Sequence, residues 1–298
     1  MNLGGCVSID STNKVVFKKN NSSLVTIYMP TYNRLGLLKR AVSSVLSQTY
    51  KNLELLIVDD GSTDGTSEYL EALSSVDSRV VVLQKEGARG APSSRNLAIS
   101  NAKGKYITGL DDDDYFKENH IEKLLDAYHP SCSFVFARHH NLKDIIFSPL
   151  FYLTKKVGFK QLAYFNIVGN QVFTETWKLK EVDGFDVNLP AAQDYETWLR
   201  LTSKFGLAKV IYSDTYVLDL EHGMGRITDN IKSKLVAYQY IEAKHRFCES
   251  FLLRDAFYLR KASAGDEFSY FRILRCSINP NNYRHSMSFF KNVINKKL

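Results

Sequence analysis

The sequence predicts an α/β protein with a mainly parallel sheet that is covered by helices on both faces. The first reason is that, between residues 24 and 137, short apolar runs alternate with segments of helical periodicity. The second is that polar clusters directly follow several of these runs. In a parallel sheet the carboxyl ends of the strands share one edge, and ligands bind beyond that edge. A helical C-terminal extension is predicted to follow.

Apolar runs and helical spacing locate the elements. The predicted strands are Val25 to Met29, Leu53 to Val58, Val80 to Leu83, Tyr106 to Leu110 and Phe134 to Ala137. Helices are predicted from Asn33, from Thr63 or Asp64, over Ser93 to Ser100, and after Asn119. After residue 140 the alternation weakens, and we predict a strand at Gln171 to Thr174, a helix from Asp194 to Lys204 and a strand at Ala208 to Tyr212.

Charge divides the chain into two unequal parts. The formal net charge is +7, yet residues 231–298 hold 13 Lys and Arg against 5 Asp and Glu. We therefore predict an N-terminal extension (residues 1–23), an α/β domain (residues 24–230) and a basic C-terminal region (residues 231–298). A basic region on a near-neutral body indicates an anionic partner such as a membrane surface, rather than nucleic acid. A solvated basic face is the alternative.

Composition also predicts the compartment. No apolar stretch approaches the roughly 20 residues that cross a bilayer, and the first 23 residues have no secretory pattern. The four cysteines are widely spaced without a CxxC pair, which argues against a zinc site and against a disulfide scaffold. We expect a cytoplasmic protein, with peripheral attachment to the inner face of the membrane as a further expectation.

Four consecutive aspartates, Asp111 to Asp114, follow the predicted strand Tyr106 to Leu110. An acidic run alone is more often a solvated loop. Neighbouring carboxylates at the end of a buried strand repel each other unless a cation compensates them. This position therefore predicts a metal site.

Two further polar clusters fall at the same predicted edge. Asp59 and Asp60 end an apolar strand, where they suit a ligand with N–H or hydroxyl donors or, alternatively, only build the turn into the next helix. Gly87 to Asn96 combines two arginines with a helix N-terminus, which favours phosphate oxygens. No ATP-binding or dinucleotide motif is present.

Taken together, these segments resemble the family 2 glycosyltransferases, which have the GT-A fold and act with inversion. The matching segments are Val25 to Arg34, Ser47 to Tyr50, Leu56 to Thr66, Arg95-Asn96, Ala102 to Ile107 and Asp111 to Asp114. They follow in order at the family's spacing, between residue 24 and about residue 225. The resemblance is specific as to family and much less so as to the sugar.

The resemblance implies roles for particular residues. The residues implied in nucleotide binding are Thr31, Tyr32, Asn33, Asp60, Arg95 and Asp112. Asp60 would accept the uracil N3–H, and Asp112 would approach the ribose. Asp111-x-Asp113 matches the family's DxD element, so Asp113, supported by Asp111 and His222, would hold Mn²⁺ or Mg²⁺ on the donor diphosphate.

Asp194 matches the catalytic base of the family's Glu-Asp motif, although Gln193 stands where the glutamate is usual. Judged without the resemblance, Asp194 reads as an ordinary helix cap, His222 as a structural histidine and Trp198 as a core residue. The departure at Gln193 bears on how the base is tuned or how the acceptor is held.

The implied function is transfer of a hexose, with UDP-galactose as the working donor, to a saccharide or lipid-diphosphate-linked saccharide. Bacterial members of the family that build surface polysaccharides such as O-antigen or capsule use such acceptors. Two other classes stay open at this point. One is a metal-dependent nucleotide-sugar hydrolase or phosphatase, and the other is a non-catalytic protein that binds nucleotide sugars.

Overall fold

The computed structural model describes residues 5–9, 15–19, 22–85, 89–138, 155–164, 166–169, 171–219, 230–247, 250–277, 282, 286–287 and 289–290. The strands are β1 Gly5–Ile9, β2 Val15–Lys19, β3 Val25–Thr31, β4 Leu53–Asp59, β5 Val80–Gln84, β6 Tyr106–Gly109, β7 Tyr115–Phe116, β8 Val135–Arg138, β9 Lys156–Val157, β10 Thr174–Glu175, β11 Ala208–Tyr212 and β12 Tyr216–Val217. The helices are α1 Leu35–Leu46, α2 Thr66–Val76, α3 Ala91–Asn101, α4 His120–Ala127, α5 Phe159–Tyr164, α6 Thr176–Glu181, α7 Gln193–Phe205, α8 Ile231–Lys244, α9 Phe251–Ser263 and α10 Tyr270–Ser277.

A five-stranded sheet forms the centre of the molecule, in the order β10-β6-β3-β4-β5. Strands β6, β3, β4 and β5 run parallel, and the short edge strand β10 is antiparallel to β6. All residues of β3 and β4 are buried. Burial on both faces requires a nearly continuous apolar run, which is why these strands were visible in the sequence. The predicted mainly parallel sheet is confirmed.

Alternate side chains of β3 supply two separate cores. Ile27 and Met29 belong to the apolar cluster that includes Leu38 and Val42 of α1. Tyr28 points to the other face, into the cluster that contains Ala98 of α3 and Trp198 of α7. Successive residues of a strand face opposite sides of the sheet, so a helix on each side is needed to bury both sets. Trp198 is completely buried, as predicted.

Local boundaries differ from the predictions in three places. The run predicted as the fifth strand joins a second sheet, β8-β11-β9, in which β8 and β11 are parallel. Helix α1 begins at Leu35 because Asn33 has φ 51°, a left-handed conformation that lies outside a helix. Helix α2 is capped by Gly65, while Asp64 accepts the N–H of Thr66.

The C-terminal region is helical and contributes to the main core. The same apolar cluster that contains Trp198 includes Ala237, Ile241, Phe247, Leu253 and Phe257. A separate small cluster is formed by Leu259, Ala262, Ile273, Cys276 and Phe289. The division at residue 230 stays a prediction, but α8 and the first part of α9 share the core of the preceding residues.

Two further predictions concern membranes and cysteines. In the described residues, no helix has both the length and the apolar composition that a bilayer span requires. Cys132 and Cys276 are buried free thiols, and Cys248 lies outside the described residues.

Candidate functional site

A cavity of about 410 Å³ opens at the carboxyl edge of the central sheet. Its walls come from the ends of β3, β4 and β6, from the start of α3 and from the start of α7. The lining residues are Pro30, Thr31, Tyr32, Arg34, Asp60, Gly90, Ala91, Ser94, Arg95, Asp111, Asp112, Asp113, Asp114, Ala191, Ala192, Gln193 and Asp194. The volume is within the range of sites for small ligands.

This cavity brings together most of the predicted site residues. Those that line it are Thr31, Tyr32, Asp60, Arg95, Asp111, Asp112, Asp113 and Asp194. Asn33 is not among the lining residues. It joins two loops instead: its N–H donates to Ser62 Oγ at 2.8 Å, and its Oδ1 accepts the N–H of Thr63 at 2.7 Å. His222 lies outside the described residues.

Arg34 joins two members of the acidic run. Its Nη1 lies 3.1 Å from Asp112 Oδ1 and 3.1 Å from Asp113 Oδ2. Thr31 donates a second hydrogen bond to Asp112, at 2.8 Å. Arg34 was not among the residues predicted for the site. The available signal was its position at the start of α1, directly after the polar end of β3.

Arg95 neutralises the first aspartate of the run. Its Nη2 donates to Asp111 Oδ1 at 2.8 Å, and Gln171 Nε2 donates to the same oxygen at 3.1 Å. The guanidinium also lies over the ring of Phe185, 5.3 Å from its centroid. Burial alone would lower the pKa of Arg95, but the charge of Asp111 outweighs it and raises that pKa. Arg95 is therefore a fixed cation in the cavity wall.

The two most buried aspartates of the run hold protons more tightly than usual. Burial raises the pKa of Asp112 to about 6, against the opposing effect of Arg34. Burial and the nearby charge of Asp111 raise the pKa of Asp114 to about 7, although Tyr216 donates a hydrogen bond to it at 2.8 Å. Burial is the main cause for both groups, and the neighbouring carboxylates add to it. Protons or a bound cation relieve the repulsion among them.

Asp60 already has several donors. Lys85 Nζ lies 2.8 Å from Oδ1, and the N–H groups of Arg89 and Gly90 donate at 3.1 Å and 2.7 Å to Oδ2. Burial would raise the pKa of Asp60, but these donors outweigh it and lower that pKa. A carboxylate accepts about four hydrogen bonds, so little capacity remains for a nucleobase. Lys85, directly after β5, was also missed by sequence reasoning.

Asp194 lies in the first turn of α7, whose N-cap residue Ala192 has φ 56° and no side-chain capping bond. Burial raises the pKa of Asp194 to about 6; the backbone N–H of Tyr195 and the charge of Arg95 oppose this rise, and Asp111 adds to it. Among the described side chains none donates a hydrogen bond to Asp194. An available carboxylate with a raised pKa is suited to accept a proton near neutral pH.

The lining side chains fit a divalent cation together with an anionic ligand. Six carboxylates face two guanidinium groups, so an anionic ligand would meet net repulsion unless a cation entered with it. Oxygen donors are the ligands that Mg²⁺ and Mn²⁺ prefer. Within the described ranges, no three His, Cys, Asp or Glu side chains are clustered so as to hold a metal. Mg²⁺ commonly takes one or two carboxylates plus substrate phosphates. Asp111 and Asp113 would supply the two carboxylates.

The fold places the protein in a structural class. A mannosyltransferase of Pyrobaculum calidifontis, solved with GDP-Man and Mn²⁺, superposes with a TM-score of 0.63 at 16% identity, over 91% of this chain and 86% of that one. This likeness shows the fold, a GT-A fold with a helical C-terminal part.

Sequence comparison then defines the family. The family model for glycosyl transferase family 2 matches residues 26–161. The Escherichia coli K12 protein WcaA, named as a colanic acid biosynthesis glycosyl transferase, is 38% identical over 236 residues, which cover 76% of this chain and 82% of WcaA. WfaP of Escherichia coli, named as a UDP-Glc:α-D-GlcNAc-diphosphoundecaprenol β-1,3-glucosyltransferase, is 31% identical over 183 residues, or 61% of this chain and 71% of WfaP. The chain therefore belongs to glycosyl transferase family 2 and is a glycosyltransferase.

Proposed function

We propose that this protein transfers a hexose, with inversion, from a UDP-sugar to a saccharide or lipid-diphosphate-linked saccharide in bacterial surface polysaccharide synthesis. One observation carries the proposal. Asp194, on α7, faces the same cavity as the acidic run after β6. Such a transfer requires a group that accepts a proton. It also requires a wall that binds an anionic ligand and whose oxygen donors suit a cation.

The donor occupies the wall formed by the strand ends. Tyr32 is half-exposed at the cavity rim, where its ring offers a face to the nucleobase. Asp112 approaches the ribose, and Arg95 lies near the phosphates. Lys85 and two backbone N–H groups already bind Asp60. Only its remaining lone pair is left to contact uracil N3–H, so Asp60 mainly shapes the loop of Arg89 and Gly90.

Asp113 and Asp111, with His222 as a further ligand, would hold Mn²⁺ or Mg²⁺. Such an ion, when bound, offsets the charge that develops on the leaving diphosphate. The two arginines of the wall act on the same charge. Arg34 and Arg95 now hold these carboxylates in place, which keeps the wall organised before the donor arrives.

Asp194 acts at the acceptor. Its carboxylate takes the proton of the acceptor hydroxyl as that oxygen forms a bond to the anomeric carbon. The bond from the anomeric carbon to the diphosphate oxygen breaks, and its electron pair leaves with UDP. Because attack comes from the face opposite the leaving group, the configuration inverts, and no covalent enzyme intermediate is needed.

The relatives support the substrate class. WcaA is named for colanic acid biosynthesis and WfaP for a UDP-linked donor with a lipid-diphosphate acceptor. From these names we propose surface polysaccharide synthesis, O-antigen or capsule among them, and an acceptor of the lipid-diphosphate type. UDP-galactose remains our proposed donor, and UDP-glucose, which WfaP's name includes, is its direct competitor.

A panel of nucleotide sugars tests the proposal. Calorimetry with Mn²⁺ would score binding of UDP-galactose, UDP-glucose, UDP-GlcNAc and GDP-mannose. Turnover would then be measured with and without a synthetic GlcNAc-α-diphospholipid. We expect Mn²⁺-dependent binding of a UDP-sugar and a new glycoside only with acceptor. Equal sugar release without acceptor would indicate a hydrolase, and binding with no turnover would indicate a binding protein.

We also propose that the basic C-terminal region contacts an anionic membrane surface through one face of α10. Helix α10 exposes Phe271, Leu274 and Tyr270, which are 80%, 60% and 59% exposed. We call these three residues the apolar α10 face. The side chain of Arg275 on the same side is 49% exposed. Aromatic and leucine side chains beside cations are typical of helices that lie in a lipid interface. Ile273 and Phe289, also in this region, are buried and do not take part.

Point variants test this contact better than truncation, because removal of residues after 230 would open the main core. Phe271→Ser should reduce sedimentation with phosphatidylglycerol vesicles, and neutral phosphatidylcholine vesicles should bind weakly throughout. Val76→Ser is the matched control, since Val76 is 81% exposed at the end of α2. Equal vesicle binding by the two variants would contradict the membrane contact.

A further inference from the structure

Side chains of the C-terminal helices α8 and α9 contact the first turn of α7. We infer that Lys244 of α8 and Arg260 of α9 are positioning residues for Asp194, so that the C-terminal region completes the acceptor side of the site. This inference rests on the proposed role of Asp194 as the base. The C-terminal region would then serve catalysis as well as the membrane contact that its charge predicts.

Glu196, two residues after Asp194, is the first point of contact. Its carboxylate is fully buried, and its Oε1 lies 3.0 Å from Lys244 Nζ and 3.2 Å from His245 Nε2. Arg200, one turn further along α7, binds the same carboxylate at 2.7 Å. Burial would raise the pKa of Glu196, but these donors outweigh it and lower that pKa to about 2. A buried carboxylate needs such partners, so α8 cannot move away without a large cost.

Lys244 and Arg200 extend this contact to the loop before α7. Lys244 Nζ also binds Asp186 Oδ2 at 2.7 Å. Arg200 Nη2 donates to the carbonyl of Gly184 at 2.7 Å. The guanidinium of Arg95 lies over the ring of the next residue, Phe185. The same ionic cluster therefore holds α7 and the turn that packs against the donor side of the cavity.

Tyr195, the residue directly after Asp194, is the second point of contact. Arg260 Nη1 donates to its hydroxyl at 2.6 Å, and the Arg260 guanidinium lies 5.1 Å from its ring centroid. Arg260 is itself buried, and its other nitrogen donates to the carbonyl of Tyr164. Both residues that follow Asp194 along the helix are thus held by side chains from the C-terminal region.

The start of α7 lacks the usual local restraints. Its N-cap residue, Ala192, has φ 56° and gives no side-chain capping bond. A side-chain cap stabilises a helix end, and a left-handed conformation is unfavourable for alanine. Because Ala192 gives no side-chain cap, the contacts made by Tyr195 and Glu196 help to hold the first turn. The backbone N–H of Tyr195 binds the Asp194 carboxylate, so contacts that hold Tyr195 and Glu196 also help to hold that carboxylate in place.

Lys244→Met tests the inference in the full-length protein, since its side chain is only partly buried and the fold should survive. With the UDP-sugar selected by the panel, Mn²⁺ and the GlcNAc-α-diphospholipid, kcat should fall about tenfold or more, because small displacements of a catalytic group are costly. The KM for the donor should change much less than kcat, because Arg95 on the donor side keeps its own salt bridge to Asp111. Amide exchange of residues 194–199 should accelerate, and Lys244→Arg should restore most of kcat.

Lys261→Met is the matched control, because Lys261 pairs with Glu242 at 2.6 Å within the same two helices and does not touch α7. A similar kcat in Lys244→Met and Lys261→Met would overturn the inference. Should Lys244→Met not fold, Arg260→Lys, which keeps the charge but shortens the reach to Tyr195, must lower kcat without changing donor KM. Asp194→Asn is run in parallel: if it turns over normally, the proposed function fails first, and the positioning role with it.

Discussion

Arg95 and Asp111 form a largely buried salt bridge in the cavity wall, with 2.8 Å between Nη2 and Oδ1. The pair joins α3 to the end of β6, two elements that the central sheet brings together. Its strength can be measured without knowledge of the substrates.

Arg95→Met should lower the free energy of unfolding by about 3 kcal/mol, because removal of one partner leaves the Asp111 charge poorly compensated. The double variant Arg95→Met/Asp111→Asn should lose less than the sum of the two single losses. Urea unfolding measures all three. As a control, Lys204→Met removes an exposed pair with Glu181 and should cost less than about 1 kcal/mol. Additive losses would mean that the pair is not coupled.

Activity should depend on pH through Asp194. The carboxylate must be ionised to accept a proton, and its pKa is raised to about 6. The value of kcat/KM for the acceptor, at saturating donor, should therefore rise between pH 5 and 7 and fall about tenfold per pH unit well below 6. Circular dichroism over the same range checks that the fold is intact. A flat profile would remove Asp194 from the role of base.

Metal dependence should be most sensitive at Asp113. Removal of one charged oxygen ligand weakens a divalent site, so Asp113→Asn should raise the Mn²⁺ concentration for half-maximal donor binding by about tenfold or more. EDTA should abolish donor binding by the unmodified protein, and added Mn²⁺ should restore it. Asp126→Asn, on the exposed side of α4, serves as the control. The same Mn²⁺ dependence in both variants would argue against Asp113 as a ligand.

Gly109 should not tolerate a side chain. A Cβ at this position would overlap Gln171 Oε1 and the ring of Tyr28. Gln171 accepts a hydrogen bond from Tyr28 at 2.7 Å and donates one to Asp111. We expect Gly109→Ala to cost about 1–3 kcal/mol in unfolding free energy and to weaken donor binding.

Gly36→Ala provides the comparison, since no atom lies within 4 Å of a Cβ built there. Gly36 is in α1, and alanine there should stabilise by up to about 1 kcal/mol because it restricts the unfolded chain. Thermal unfolding and calorimetric donor titration measure both variants. Equal melting temperatures for the two variants would show that the Gly109 contact is not tight.

Local pattern was sufficient to predict the central strands and α7. Five of the seven residues of Leu53–Asp59 are apolar because the strand is covered on both faces, and that feature is visible in adjacent residues. The ends of these strands also share one edge, so the meeting of Thr31, Asp60 and the acidic run followed from the strand order alone. Family motifs then predicted that Asp194 would join them, although it lies some 80 residues beyond the run.

The tertiary structure decided which charges neutralise one another. Arg34 pairs with Asp112 from 78 residues away, and Lys244 reaches Glu196 across 48. From the sequence alone, a charged residue is expected to be solvated unless its partner is known. The residues beside it in the sequence do not identify a partner that lies so far along the chain. For the same reason the basic C-terminal region looked like a separate extension. Its cations and apolar side chains are in fact partly used to hold α7, because a buried carboxylate and an uncapped helix end must be satisfied by whatever the fold brings beside them.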